Sequence, residues 1–197
     1  ALFRPDETPV VNPANLLTNG NFESGSLSPW DTGGTTVSLT SGSRSGTAAA
    51  QIGSDSFLVH NRSVAGGETF TFTGYYRTGG ASAPREAGFS FWSSTGAWLG
   101  DSLTTLNPST PYQSFTVEGT TPVGAVACSV WVWSGANAGI VVDDLRLDRL
   151  VAAPLTPGSP EEAALAGEMT SLSLKSSRTL DLSSDGIRRK ETSIGSS

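Results

Sequence analysis

An antiparallel all-β fold, a sandwich or a barrel, is what this 197-residue chain predicts, and three observations predict it. Apolar residues recur with a period of two in many short runs, the spacing that puts alternate side chains on one face of a strand. Those runs are separated by clusters of Gly, Ser, Pro and Asn, which reverse the chain because Gly and Asn tolerate positive φ and Pro fixes its own. Helical periodicity is scarce before residue 150, which sets the chain apart from the helical and mixed α/β classes.

The elements follow in order. Residues 1–14 carry Pro5, Pro9 and Pro13 among polar groups and read as an extended N-terminal arm. In Asn15–Gly25 two apolar residues precede an Asn-Gly turn signal, and Phe22 and Glu23 stand side by side. As an opening strand and turn, this segment points one of that pair toward a core and the other away from it. Short strands are predicted over 35–39, 47–52 and 56–64, with a Ser/Gly loop over 41–46. The run 68–77 has the cleanest alternation: Phe70, Phe72 and Tyr76 share one face, and Thr69, Thr71, Thr73, Tyr75 and Arg77 the other. Residues 78–87 read as a Gly/Ala/Pro loop.

Phe89–Trp92 is a strand with Trp92 opposite Phe89 and Phe91, followed by a turn into Ala97-Trp98-Leu99 and a further strand over 114–118. In 126–133 the phase assigns Val126, Cys128, Val130 and Val132 to the core, and Ser129, Trp131 and Trp133 to the other face. Residues 140–147 form the last strand, interrupted by Asp143 and Asp144. Beyond Leu150 the composition changes. Residues 151–160 are a Pro/Ala linker, and Ser159-Pro160-Glu161-Glu162 is a helix start with an N-cap, a first-turn proline and acids. The rest of 161–197, a short helix and a weakly alternating, basic tail, cannot build a core alone. Its expected role is an assembly extension that docks on another chain.

Charge and composition exclude several functions. A formal net charge of −6, with no basic stripe interleaved with aromatics, argues against nucleic-acid binding. No apolar stretch is long enough to span a bilayer, so no membrane partner is expected. The single cysteine, Cys128, excludes an internal disulfide framework and reads as a small buried hydrophobe. Ala1 is the kind of residue exposed by removal of an initiator methionine or by a signal-peptidase cut, and both origins stay open. The lone His60 has no acid or nucleophile partner in a known motif and reads as exposed or structurally bonded. Asp143 and Asp144 are adjacent on one strand, which points them apart and makes them a poor acid/base pair. No catalytic residue is assigned.

Four segments carry a resemblance: Asn15–Gly25 with Trp30, Arg44–Ala49, Gly67–Tyr76 and Val142–Leu147. In that order they resemble galactose-binding-like jelly rolls, and in particular the carbohydrate-binding modules appended to xylanases and cellulases. The resemblance covers about residues 15–150 and implies a two-sheet jelly roll. It also implies a structural calcium held by Glu23 and by Asp143 or Asp144, since hard cations take carboxylate and carbonyl oxygens. Carbohydrate binding is the activity it implies. The outward residues assigned by strand phase are Tyr75, Arg77, Trp92, Trp131 and Trp133. On neighbouring strands these would make an aromatic platform, suited to sugar rings and equally to a protein partner.

Three functions follow as expectations. The first is a non-catalytic bacteriophage virion protein, a tail or capsid-surface component. It would assemble with other virion subunits or with itself through residues 1–14 and 151–197, and would bind host glycans. The second is a secreted carbohydrate-binding module of a polysaccharide-degrading enzyme. The third, least favoured, is a glycosidase.

Overall fold

The computed structural model describes residues 10–11, 15–79, 84–136 and 138–151 of the chain. The expected arm, linker and C-terminal extension fall outside these residues, apart from Val10, Val11 and Val151. Eleven strands are found among the described residues: β1 (Val10–Val11), β2 (Asp31–Gly33), β3 (Val37–Thr40), β4 (Ala49–Ile52), β5 (Ser56–Ser63), β6 (Thr69–Thr78), β7 (Arg85–Ser93), β8 (Trp98–Thr105), β9 (Gln113–Thr120), β10 (Ala125–Ser134) and β11 (Ile140–Val151). They form two antiparallel sheets, β3-β4-β11-β6-β9 and β2-β5-β10-β7-β8, and β1 adds to the far end of β11. Most neighbours within a sheet are not consecutive in the chain, because the chain passes repeatedly from one sheet to the other, as a jelly roll does.

The core fills the space between the sheets. Phe70, Phe72 and Tyr76 point inward from β6 as their alternation predicts, and Phe89 and Phe91 meet them from β7. The Phe72 ring lies 6.0 Å from Phe89 and 5.1 Å from Phe115, the latter edge-on, an arrangement that complements the ring quadrupoles. From β10, Val130 and Val132 are fully buried and Cys128 nearly so. Burial drives the Cys128 thiol up to about 12, so it packs as a hydrophobe.

Two strands carry a bulge that shifts their alternation by one residue, and in β10 it overturns an expected facing. At the start of β10, Val126 has no place in the β7 ladder, where Ala125 faces Ser93 and Ala127 faces Trp92. Ala125 therefore turns inward, and Val126, predicted for the core, is 44% exposed. A bulge adds one residue to one strand and reverses the facing of whatever precedes it. In β11 three residue steps, Asp143 to Arg146, oppose two on β6, and Asp144 takes a left-handed φ of 50°. The apolar face accordingly runs Ile140, Val142, then Leu145, Leu147.

The opening segment departs from expectation in a different way. No strand forms within Asn15–Gly25. Its backbone instead bonds directly to β11, with Leu16 N–H donating to Leu147 O (2.8 Å) and Leu145 N–H to Gly20 O (2.8 Å). Asn15 supplies the missing ladder bonds with its side-chain amide, which donates to Leu145 O and accepts from Leu147 N–H. The expected division of the pair survives without a strand: Phe22 is fully buried and Glu23 is exposed. Strand β2 went unpredicted, because Asp-Thr-Gly offers no apolar alternation.

Phe72→Ala is expected to cost about 3–5 kcal/mol in urea unfolding, the range for truncating a buried ring. The β10 bulge predicts an asymmetry between two valines. Val126→Thr should change stability by no more than about 0.5 kcal/mol. Val130→Thr, which buries an unpaired hydroxyl, should cost about 1–3 kcal/mol.

Candidate functional site

The outward face of the second sheet carries most of the exposed aromatic surface. Backbone register lays it out in rows that cross the strands. The first row reads Gly33, Phe57, Trp133, Glu86, Thr105, and the second Asp31, Val59, Trp131, Gly88, Leu103. The third is Asn61, Ser129, Ser90, Asp101, and the fourth sets Trp92 against Trp98. A trough of about 520 Å³ runs along this grid, lined chiefly by Phe57, Trp92, Trp131 and Trp133, with Ser90 and Ser129 in its floor. From the Trp133 row to the Trp92 row is six residues along β10, roughly 20 Å at about 3.3 Å per residue.

The rings are held in place by polar partners below them. Trp131 Nε1–H donates to Ser90 Oγ (2.9 Å), and Trp92 Nε1–H donates to Ser129 Oγ (3.0 Å). Ser129 in turn donates to Asn61 Oδ1 (2.7 Å), and the Asn61 amide donates to Asp31 (3.3 Å). Trp98, on edge strand β8 and 59% exposed, donates to Asp101 Oδ1 (2.9 Å). Phe57 sits over Gly33 so closely that a Cβ there would lie 2.2 Å from its ring, so a side chain at 33 would displace the ring from this position. With the indole N–H groups of Trp92, Trp98 and Trp131 bonded within the protein, these rings present their faces to solvent.

Of the five predicted platform residues, the fold brings together three. Trp92, Trp131 and Trp133 share the trough. Tyr75 and Arg77 lie on β6 in the other sheet and face outward on the opposite side of the sandwich. Both are covered by the 40–46 loop region: the Arg44 guanidinium sits 3.5 Å over the Tyr75 ring, and Arg77 donates to Gly42 O. Strand phase assigns a side chain to a face, but it cannot say which sheet a strand joins. Phe57, Val59, Glu86 and Ser90 line the trough unpredicted, Ser129 lines it on the face its phase assigned, and Trp98 stands against Trp92 on the neighbouring edge strand. The alternation of Leu58 with His60 in β5 was a signal for Phe57. Trp98 was masked by the bulge at Leu99, an extra residue between the Phe91–Gly100 and Trp92–Trp98 pairs.

No protein-family model and no curated protein matches the sequence, whereas solved structures match the fold. The CBM22-1 xylan-binding domain from Paenibacillus barcinonensis Xyn10C superposes with a TM-score of 0.58 at 18% identity, over 68% of this chain and 94% of that one. A family 16 carbohydrate-binding module gives 0.56 at 17% identity, over 68% and 99%. The enzymatically active domain of bacteriophage CBA120 tailspike protein 4 gives 0.58 at 14% identity; 70% of this chain spans only 21% of that one. The fold is a carbohydrate-binding-module jelly roll.

Calcium, which that resemblance implies, can be tested against the acids expected to bind it. All three converge on one loop, Arg44–Ala48. Glu23 accepts from Thr47 N–H, Ala48 N–H and the Thr47 hydroxyl, each at 2.8 Å. Asp143 is fully buried and accepts from the N–H groups of Arg44 (2.8 Å), Ser45 (3.1 Å) and Asp144 (2.8 Å). Asp144 accepts from Arg44 Nη1 (2.7 Å) and the Ser45 hydroxyl (2.8 Å). Gly46 has a φ of 62°, and a Cβ there would meet Glu23 Oε1 at 2.4 Å, so the loop closes on the carboxylate only as glycine. Among the described residues no three His, Cys, Asp or Glu side chains are grouped to hold a metal. The arrangement does not fit a calcium shell, because a hard cation needs oxygens that here already accept N–H and O–H donors. The three acids bind a loop and tie the opening segment to β11.

Nor does this cluster suit acid/base work, since both aspartates are committed to donors. His60 is buried rather than exposed, edge-on to Trp30 at 5.2 Å, and neither ring nitrogen meets a hydrogen-bond partner of good geometry. Burial, then the Arg62 charge, lowers its pKa, which keeps the ring neutral in the core.

The loop contacts set a pH dependence. The Ala48 N–H, then the Thr47 hydroxyl and N–H, hold the Glu23 carboxyl below the ordinary glutamate value of 4.5. A depressed carboxyl contributes stability that is present above its unfolded pKa and lost as pH falls through the folded one. Asp143 works in the opposite sense, because burial outweighs its N–H bonds and raises its pKa. Glu23→Gln should therefore lower Tm at neutral pH, with the gap to wild type closing below the Glu23 pKa. Arg44→Ala should also lower Tm, and a chelator should leave the wild-type Tm unchanged.

Proposed function

We propose that this protein is a non-catalytic carbohydrate-binding domain that holds a polysaccharide chain in the trough across β5, β10 and β7. The observation that carries this is the presentation of four aromatic ring faces, Phe57, Trp133, Trp131 and Trp92, in one trough with a polar floor. Sugar rings have apolar C–H faces that stack on aromatic planes, and hydroxyls that need hydrogen-bonding groups beside them. Ser90, Ser129, Asn61 and Glu86 stand in those flanking positions. The neighbours described as a xylan-binding domain and a carbohydrate-binding module support the reading.

The setting we favour is a bacteriophage virion, with the domain as a tail or capsid-surface component. It would assemble with other virion subunits or with itself through residues 1–14 and 151–197 and engage host glycans with the trough. The likeness to a tailspike segment supports this. The alternative is a secreted module of a polysaccharide-degrading enzyme, which the binding-module neighbours support equally. Size-exclusion chromatography with light scattering separates the two: the virion setting expects self-association or capture by virion subunits that is lost on deleting 152–197, and the module a monomer either way.

Affinity electrophoresis of the full chain through gels containing a xylan, a β-glucan or a galactan tests the binding itself. At least one polymer should retard the protein. Trp131→Ala and Trp133→Ala should each weaken that retardation at least ~10-fold, about 1.4 kcal/mol. Tyr75→Ala and Arg77→Ala should leave it unchanged, since those side chains lie on the other sheet. Retardation insensitive to the tryptophan changes, or absent on all three polymers, would overturn the proposal.

A further inference from the structure

Among the described residues, the charges around the trough are all of one sign. Asp31 stands at its β2 edge, Glu86 lines it beside Trp133, and Asp101 borders it from β8 beside Trp98. Asp31 and Asp101 each accept one hydrogen bond, from Asn61 and Trp98, and those neutral donors leave the negative charge uncompensated. Glu86 has no hydrogen-bond or ionic partner among the described residues. All three carboxylates are therefore within reach of a bound chain without a counter-charge.

The arginines of the described residues are occupied elsewhere. Arg44, Arg146 and Arg149 pair with Asp144, Asp148 and Glu68. Arg62, Arg77 and Arg85 donate to the backbone carbonyls of Leu16, Gly42 and Gly139. None lies on the outward face of the second sheet, and the chain's two lysines, Lys175 and Lys190, lie outside the described residues. A polymer carrying carboxylates or sulfates would thus meet three like charges and, among the described residues, no cation on this face, a repulsion felt most at low salt. Like-charge juxtaposition of this kind rejects a ligand without costing the correct one any contact.

We propose that the trough selects uncharged glycan chains and rejects anionic ones, with Glu86, Asp101 and Asp31 as the selectivity residues. The inference rests on the trough being the glycan site and deepens that reading. Trp98 belongs to the same device. Its indole, fixed on Asp101, carries the aromatic track from β7 onto the edge strand, so a chain that stacks there passes directly beside the carboxylate.

The test uses paired derivatives of one polymer, hydroxyethylated and carboxymethylated to equal degree, prepared from each of the xylan, β-glucan and galactan. Affinity electrophoresis at low salt should retard the full chain on at least one hydroxyethyl derivative, and about tenfold less on its carboxymethyl partner. Raising the salt should narrow that gap, because screening acts only on the charged ligand. The double variant Glu86→Gln/Asp101→Asn keeps an acceptor for Trp98 Nε1–H. It should gain binding to the carboxymethyl derivative and so narrow the gap between the two members of the pair. Equal or stronger binding to the carboxymethyl derivative, unmoved by salt or by the variant, would overturn the inference while leaving glycan binding intact. Retardation on neither member of any pair would overturn the glycan reading, and this inference with it.

Discussion

The register of β10 between β5 and β7 is the constraint on which the rest of the molecule depends. With Val130 opposite His60 and Phe89, the strand sends Val130 and Val132 into the core and Trp131 and Trp133 out to the trough. A slip of one residue would exchange these sets, burying two indoles and exposing two valines. The bulge at Val126 ends the alternation before it can propagate into the adjoining loop. Core and candidate site are therefore two faces of the same strand, specified by the same hydrogen-bond ladder. This is why the site can be rigid although its rings are half-exposed: Ser90 and Ser129, which bond the Trp131 and Trp92 indole N–H groups, are locked side by side in one row of that ladder.

A second constraint acts at the far side of the sandwich, where the chain's opening segment meets its last strand. Glu23, Asp143 and Asp144 share the loop Arg44–Ala48, and the Arg44 guanidinium supplies the positive charge that joins Asp144 to the Tyr75 ring. Backbone N–H groups turned toward carboxylates make short, charge-assisted bonds that hold a loop without a metal. The cluster that first suggested cation binding is, on this geometry, a way of closing the domain. The proposed glycan trough lies on the other sheet. Closure and recognition are thus separated, which lets the trough vary without loosening the fold.

Much of this was legible in the amino-acid order. The inward faces of β6 and of most of β10, the burial of Cys128, and the opposite facing of Phe22 and Glu23 all follow from local periodicity or residue type. Leu145 and Leu147 fall out of phase with Ile140 and Val142, so the β11 bulge was itself written in the spacing. Val126 was misread because a bulge at a strand end leaves no later residues on that side to reveal the slip. Tyr75 and Arg77 were grouped with the tryptophans because alternation defines two faces per strand and carries no information about which strands are neighbours.

By itself the sequence determined the class of fold and, for most of the strands it foresaw, the side that meets the core, because these depend on interactions between residues close in the chain. Tertiary structure alone decided which outward residues share a surface. It set Phe57, Trp133, Trp131, Trp92 and Trp98 on one face, moved Tyr75 and Arg77 to the other, and bordered the first group with Asp31, Glu86 and Asp101. It also turned three would-be metal ligands into the acceptors of a loop. These outcomes rest on pairings between residues tens of positions apart, set by how the two sheets close over a common core, and no local pattern encodes them.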